Sequence, residues 1–228
     1  MNQPLKDRRI GVVVIGQSPR PLVAAEITRV LSPGMTIDLR GALDGMSRAE
    51  IDTIKPTDGA DTLFTLLPSN EGVVISKREV ERRAGVQFAR LKEEGIGVAM
   101  LACTGKFQNL APDGLVILPS AVLHRMVEAV LPKGRLGVFS PLPEQTALIH
   151  KKWQRDGVDV VGVTLRPGSD DAAVDEAAQT MAELEPDLVV MDCMSYTSAN
   201  KARLRQSYAG PVILAIAAAA RVLEELVS

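Results

Sequence analysis

The strongest constraint on the fold is an internal repeat, because the two halves of the chain carry the same segments in the same order. Residues 9–12, Arg-Ile-Gly-Val, are answered by Arg-Leu-Gly-Val at residues 135–138. The apolar run that ends in a cysteine at residues 98–103 is answered at residues 188–193, and a strand beginning Val-Ile-Leu follows each, at Val116 and at Val212. Repeats of this length far exceed those of solenoids, so the order predicts two duplicated lobes. The alternative is chance similarity among valine-rich strands, which resemble one another readily.

Short runs rich in Val and Ile alternate with helical patterns along the chain, which is typical of parallel βα units. The predicted strands begin at Arg9, Thr36, Asp61, Ile96, Val116, Arg135, Asp159, Asp187 and Val212. We therefore expect an α/β fold with two lobes, each a mostly parallel sheet flanked by helices. The first lobe is expected to hold residues 1–119 and 216–228, and the second residues 120–215.

Two helix starts can be placed from local sequence. Ser47 and Ser76 each precede a glutamate three residues later, a spacing that predicts a helix N-terminus with a capping box. The helix after Ser76 is expected to run to Glu94 and to stop at Gly95, since glycine is the usual residue just past a helix end.

The composition indicates a globular protein and disfavours two classes of partner. With 46% hydrophobic residues among 228, the chain can bury a sizeable core. A formal net charge of -2 and a pI of about 5.8 provide no basic surface for nucleic acid or anionic lipid. Residues 1–7 lack the apolar core of a signal peptide, and no apolar stretch reaches the roughly 20 residues that a membrane span needs. We therefore expect a cytoplasmic protein with reduced cysteines.

Ligands of an open parallel sheet bind at the carboxyl ends of its strands, where loops and helix N-termini converge. That rule selects four loops, residues 16–20, 103–107, 140–143 and 192–197, with one cysteine loop in each lobe. Backbone N–H groups and a helix dipole at such a position favour a thiolate, so Cys103 and Cys193 are the candidate catalytic residues. The alternative for either cysteine alone is simple packing in the core.

Other residues of these loops are candidates for binding a substrate. Hydroxyl groups beside the thiols can bind small anionic groups, Gly105 permits close backbone approach, and the Arg20 guanidinium is suited to a carboxylate. The substrate-binding candidates are Gly16, Gln17, Ser18, Arg20, Thr104, Gly105, Lys106, Ser140, Pro141, Met194, Ser195, Tyr196 and Thr197. The alternatives are a solvated surface position for Arg20, a turn or cap role for Ser18, and a core-capping role for Tyr196.

Several familiar sites are missing from the sequence. It contains no G-x-G-x-x-G, no phosphate-binding G-x-x-x-x-G-K-[ST], no H-E-x-x-H and no G-x-S-x-G. His124 and His150 fall in predicted helices away from the strand ends, which indicates surface or packing roles. Two distant cysteines without histidine partners make a poor zinc site. We therefore expect a site that uses neither a metal nor a cofactor.

Four segments resemble hallmark segments of the AroM family: residues 15–20, 77–81, 102–105 and 191–194, which read Ile-Gly-Gln-Ser-Pro-Arg, Lys-Arg-Glu-Val-Glu, Ala-Cys-Thr-Gly and Met-Asp-Cys-Met. The resemblance covers nearly the whole chain. AroM proteins in turn resemble the aspartate/glutamate/hydantoin racemase superfamily, which implies two pseudo-symmetric lobes with an interlobe cleft and one cysteine from each lobe facing it. On that resemblance Cys103 is the first-lobe thiol and Cys193 the second-lobe thiol.

Three departures from the amino-acid racemases argue against glutamate itself as the substrate. Asn-Thr typically follows the first cysteine of those enzymes, where this chain has Thr104-Gly105. Thr-His often follows the second, where this chain has Met194-Ser195. The first loop reads Gly-Gln-Ser-Pro-Arg instead of the Asp-Ser-Gly pattern of glutamate racemases. None of the three affects the two-thiol arrangement.

The matched thiols and the resemblance predict a cofactor-independent racemase or epimerase that acts on a small carboxylate or amino-acid-like substrate through two-cysteine acid/base chemistry. An alternative enzyme is a single-thiol isomerase or decarboxylase of dicarboxylates. An alternative of another class is a non-catalytic protein that binds or senses a small carboxylate, which the apolar Met194 beside the second thiol favours. The expected partner is a small carboxylate-bearing molecule and not nucleic acid or a membrane, and members of the superfamily are often homodimers or higher homo-oligomers.

Overall fold

The computed structural model describes residues 9–110 and 112–228. The chain divides into two compact units: unit 1 runs to Ser120 and resumes at Ala220–Ser228, and unit 2 is Ala121–Ala219. The expectation that the chain carries no signal peptide rests on residues 1–7, which lie outside the described residues. Within the described residues, no helix combines the length and the apolar character that crossing a bilayer requires.

Unit 1 is built on a parallel four-stranded sheet. In chain order its elements are β1 (Arg9–Val14), α1 (Pro21–Thr28), β2 (Thr36–Gly41), α2 (Arg48–Thr53), β3 (Thr62–Leu66), β4 (Gly72–Ser76), α3 (Lys77–Glu93), β5 (Val98–Ala102) and β6 (Leu115–Ile117). The strand order is β2-β1-β5-β6, and every pair is parallel. The central strands β1 and β5 are buried almost throughout, which explains why they read as continuous apolar runs.

A separate antiparallel hairpin of β3 and β4 interrupts this βα pattern. The strand expected near Asp61 is β3, but the second strand beginning at Gly72 has no counterpart among the predicted strands. The turn between them places Asn70 at a φ of 64°, a conformation that asparagine tolerates better than most residues. The Pro-Ser-Asn run of residues 68–70 is the turn signal that marks the missed hairpin.

Unit 2 is built on a second parallel four-stranded sheet, with the order β10-β9-β7-β8. The remaining elements of the chain are α4 (Pro119–Val130), β7 (Gly134–Ser140), α5 (Thr146–Trp153), β8 (Val158–Thr164), α6 (Asp171–Glu183), β9 (Leu188–Met191), α7 (Ser198–Ser207), β10 (Val212–Leu214) and α8 (Ala215–Val227). The boundaries between the two units fall within α4 and α8. The expected α/β class, with two parallel sheets flanked by helices, is confirmed.

The two sheets share one topology, and the repeated Arg-x-Gly-Val segments lie near the start of equivalent strands, β1 and β7. A Cβ atom on Gly11 would lie 2.6 Å from Leu91 Cδ1 of α3, and one on Gly137 would lie 2.5 Å from Met181 Sδ of α6. In each unit, therefore, the glycine lets the helix that precedes the cysteine strand pack directly on the central strand. A shared packing role favours duplication over chance similarity.

The arginines of the repeat also make equivalent contacts. The Arg9 guanidinium donates to the carbonyl of Glu94 (3.5 Å), and the Arg135 guanidinium donates to the carbonyl of Leu184 (3.0 Å). Glu94 and Leu184 are the C-cap residues of α3 and α6. A cation at a helix C-terminus interacts favourably with the helix dipole, so the repeated arginine anchors the same helix end in both units.

The local helix predictions are largely confirmed. Ser47 and Glu50 form the full capping box that begins α2. Ser76 caps α3 by accepting from the Glu79 N–H, but the reciprocal bond is absent, because the Ser76 N–H donates to Ile54 and the Glu79 carboxylate accepts from two arginines. The helix ends at Glu93, one residue before the expected Glu94, and Gly95 follows it at a φ of 84°, which agrees with the predicted stop.

Candidate active site

Cys103 directly follows β5 and is half-buried. Its sulfur accepts a hydrogen bond from the Gly105 N–H at 3.4 Å. The expectation of a helix N-terminus beside this thiol is wrong, because residues 103–110 contain no helix. The N–H that reaches the sulfur comes instead from a bend in the loop at Gly105.

Cys193 follows β9 with Asp192 between them, and it is also half-buried. Its sulfur accepts from the Ser195 N–H at 3.5 Å, and its carbonyl accepts from the Tyr196 N–H at 3.3 Å. The following helix, α7, begins at Ser198, several residues further on. Both thiols therefore accept from the backbone N–H two residues ahead, a contact that favours the charged form of a thiol. Neither cysteine forms a disulfide.

The loop after β1 is held in place by its neighbour after β2. Both Asp44 oxygens are used: Oδ1 accepts from the Ser18 N–H (2.7 Å), and Oδ2 accepts from the Ser18 hydroxyl (2.8 Å) and the Gly41 N–H (2.7 Å). The Gln17 amide donates to the Met46 carbonyl at 2.7 Å. Ser18 and Gln17 thus fix the shape of this loop, which agrees with the turn role considered for Ser18. The importance of Asp44 was not predicted.

The β3–β4 hairpin lies against both strand-end loops of unit 1. Arg20 donates to the Leu66 carbonyl at 2.6 Å, so at least one of its donors is bound within the protein. A Cβ on the buried Gly16 would lie 2.7 Å from Thr65 Oγ1, and one on Gly105 would lie 3.4 Å from Leu63 Cδ2. The hairpin therefore joins the first loop to the Cys103 loop. Two other candidates in the latter loop differ in exposure: Thr104 is buried and Lys106 is exposed.

In unit 2, the candidate residues after the thiol are mostly engaged in building the loop. Met194 is buried, and Ser195 and Thr197 are half-buried. Thr197 caps α7 in a capping box with Asn200, which occupies its hydroxyl. Helix capping is thus the observed role of Thr197.

Tyr196 is almost fully buried, and its hydroxyl donates to the Leu165 carbonyl. Burial, followed by the charges of Cys193 and Asp192, raises the pKa of Tyr196 well above its ordinary value, so the phenol stays protonated. These contacts agree with the core-capping role considered for Tyr196.

The remaining candidates follow β7. Ser140 is buried, and its hydroxyl donates to the Leu142 carbonyl at 3.4 Å, while its own carbonyl accepts from the Leu165 N–H at 2.8 Å. Pro141 is half-buried. Leu165 therefore connects the β7 loop to Tyr196 in the cysteine loop.

A buried polar cluster beside Cys193 was missed by sequence reasoning. The Asp192 carboxylate accepts from the Lys152 ammonium at 2.7 and 2.8 Å and from the Trp153 indole N–H at 2.8 Å. The carboxylate was visible next to the thiol in the sequence. Its partners lie on α5, about 40 residues earlier, and no local pattern connects the two segments.

The two histidines lie on helices α4 and α5. His124 on α4 stacks on Trp153, with ring centroids 4.5 Å apart and an interplanar angle of 15°, and His150 is exposed. These are the packing and surface roles that were predicted. Over residues 9–110 and 112–228, no three side chains of His, Cys, Asp or Glu are grouped as ligands for a metal ion.

Comparison with known proteins identifies a family to which this sequence is similar. A model of the family described as AroM protein matches residues 10–227. No curated protein matches the sequence.

Solved structures of enzymes share the fold at low sequence identity. Unliganded arylmalonate decarboxylase is 14% identical, with 99% of this chain and 93% of that chain covered and a TM-score of 0.64. A glutamate racemase isoform from Bacillus anthracis is 18% identical, with 95% and 80% covered and a TM-score of 0.62. Allantoin racemase from Pseudomonas fluorescens is 16% identical, with 96% and 90% covered and a TM-score of 0.53. These structures share their fold with this chain. Because the family model spans nearly the entire sequence, the chain belongs to the AroM family.

Proposed function

We propose that this protein is a cofactor-independent racemase or epimerase of a small carboxylate or amino-acid-like substrate, with Cys103 and Cys193 as its acid/base pair. The supporting observation is the matched environment of the two thiols. Each follows the equivalent strand of its sheet, and each accepts from the N–H two residues ahead. The structural neighbours include racemases and a decarboxylase, which supports an enzyme of this general kind.

In the proposed reaction, one thiolate removes a proton from the substrate carbon next to the carboxylate and becomes a thiol. The electron pair of the broken C–H bond moves into the carboxylate as an enediolate. The other cysteine, a thiol at the start, delivers its proton to the opposite face of the same carbon and becomes a thiolate. The carbon is inverted, and the two cysteines have exchanged protonation states.

The enediolate requires stabilisation from preorganised donors, each worth roughly 3–4 kcal/mol in known oxyanion sites. The loop N–H groups and the side chains of Thr104, Ser195 and Arg20 supply these donors in the proposal. Lys106, which is exposed, supplies a positive charge for the substrate carboxylate. Ser18 and Thr197 act by shaping the loops, since their hydroxyls are already engaged. A cytoplasmic location, where thiols stay reduced, belongs to the same proposal.

The test is proton–deuterium exchange followed by NMR in heavy water against a panel of chiral amino acids, hydantoins and small dicarboxylates. Racemisation must place deuterium on the stereocentre. We expect racemisation, measured as deuterium-labelled product of inverted configuration, to vanish in Cys103→Ala and in Cys193→Ala, and to persist in the control Ser207→Ala, which changes an exposed residue at the end of α7. Full racemisation in either cysteine variant would end the two-thiol mechanism.

The single-thiol isomerase or decarboxylase is the second candidate, and an asymmetry between the thiols favours it. A buried carboxylate, Asp192, precedes Cys193, whereas Ala102 precedes Cys103. If only one thiol is chemically active, one cysteine variant keeps turnover, and the reaction shows a covalent adduct or loss of carbon dioxide without racemisation. Stabilisation by a ligand without any turnover would instead indicate a binding protein.

A further inference from the structure

The ion pair beside Cys193 is buried to an unusual degree for two charged side chains. The side chain of Asp192 is 4% exposed and that of Lys152 is 14% exposed. The ammonium nitrogen lies within 2.8 Å of both carboxylate oxygens, and the Trp153 indole N–H adds a third donor. The Lys152 nitrogen also lies 5.2 Å from the centre of the Trp153 ring. Burying both charges carries a desolvation cost, which suggests that the pair has a role beyond stability at its position next to the thiol.

The turn that carries Cys193 is attached to the protein on both sides of the sulfur. Before it, the Asp192 N–H donates to the Phe139 carbonyl at 3.2 Å, and the Asp192 side chain is held by α5. After it, the buried Tyr196 hydroxyl donates to Leu165. Asp192 is thus an anchor for the thiol turn.

The Asp192 carboxylate also places a negative charge on the residue next to Cys193. The titratable groups described beside Cys193 include Asp192 and Tyr196 from its own loop and Lys152 of α5, which pairs with Asp192. His124 on α4 lies one ring further out, stacked on Trp153. Tyr196 stays neutral, so a thiolate at Cys193 would be opposed by Asp192 if no cation compensated that carboxylate.

We propose that Lys152 is a positioning residue for Cys193: it holds the Asp192 anchor through the ion pair and cancels the charge that would otherwise oppose the thiolate. This inference rests on the proposed thiol chemistry and deepens it. It also distinguishes the two thiols, because the residue before Cys103 is Ala102 and carries no charge. Lys152 acts through its position and its charge beside Asp192 and is not assigned a contact with substrate.

The test measures the alkylation rate of each cysteine against pH with iodoacetamide, an uncharged reagent, and resolves the two sites by mass spectrometry of peptides. In Lys152→Met, the midpoint of the Cys193 profile is expected to rise by about one pH unit, the size typical of one close, partly buried charge. In Asp192→Asn, which leaves the lysine, the midpoint is expected to fall. The double variant is expected to return close to the wild-type value.

Lys151→Met is the matched control, since it removes an exposed lysine from the adjacent position of the same helix and is expected to leave both profiles unchanged. The Cys103 profile is a second control within each variant. A role in folding alone would move Lys152→Met and Asp192→Asn in the same direction, whereas the proposal requires opposite directions. Shifts in the same direction, or no shift in Lys152→Met, overturn it.

If Lys152→Met does not fold, the Cys193 midpoints of Asp192→Asn and of the double variant are compared to test the proposal. A Cys193 midpoint in Asp192→Asn that is not below that of the double variant overturns the proposal. The measurement needs no substrate, so a protein without racemase activity can still show the shifts. Absence of turnover with the expected shifts therefore counts against the proposed function alone, and turnover without them counts against the role of Lys152 alone.

Discussion

Replacing Asp44 with alanine should release the loop after β1, because one carboxylate holds that loop through three hydrogen bonds. Two of the donors are backbone N–H groups, those of Ser18 and Gly41, and the third is the Ser18 hydroxyl. Hydrogen bonds to a charged group contribute about 1.5–3 kcal/mol each when they are buried. Asp44 is half-buried, so water can replace part of this stabilisation. We expect a total loss of about 2 kcal/mol, far below the sum of three buried bonds.

Amide hydrogen exchange measures this loss directly, since a loss of about 2 kcal/mol in local stability lowers protection about 30-fold. The loss should be confined to peptides that contain the Ser18 and Gly41 amides. Asp44→Asn keeps one acceptor oxygen and should give an intermediate loss. Asp52→Ala, which removes a half-exposed carboxylate paired with Arg48 on α2, is the control and should change protection little. Equal protection in Asp44→Ala and Asp52→Ala would refute the reasoning.

Two further predictions concern stability. Gly11→Ala should destabilise unit 1 by about 1–3 kcal/mol, because its Cβ would lie 2.6 Å from Leu91. Gly85→Ala in α3 should stabilise the protein by about 0.5–1 kcal/mol, because no atom lies within 4 Å of its Cβ. Urea midpoints that shift in the same direction for both variants would contradict this. Burial would raise the pKa of Asp61, but the Arg78 and Thr57 N–H groups outweigh it and hold the pKa below its ordinary value of 3.8. The ionised Asp61 carboxylate therefore stabilises the folded state fully above pH 3.8, and this stabilisation is lost as the pH falls through the lower pKa of the folded state. The difference in urea midpoint between wild type and Asp61→Asn should narrow from about pH 7 to about pH 3, and a wider difference would contradict the prediction.

Patterns contained within short stretches of sequence proved sufficient for most of the fold. The capping box at Ser47 and the stop at Gly95 depend on residues a few positions apart, and the structure contains both. The β3–β4 hairpin was not predicted, because the alternation of strands and helices around it favoured a single strand near Asp61. The turn signal at residues 68–70 marks the second strand. The helix expected beside Cys103 is absent, and the Gly105 N–H at a bend in the loop contacts the sulfur instead.

Sequence patterns alone predict the duplicated order of strands and the position of each cysteine at the end of an equivalent strand. They do so because apolar periodicity and strand order are properties of contiguous segments, and the repeated glycine and arginine serve the same contacts in both units. The charged groups that surround the loops, in contrast, become visible only once the elements are packed together. The partners of Asp192 lie about 40 residues away on α5, and Ser18, which Asp44 holds, lies 26 residues away in the loop after β1. Contacts between distant segments are set by how the elements pack, and no local pattern encodes them.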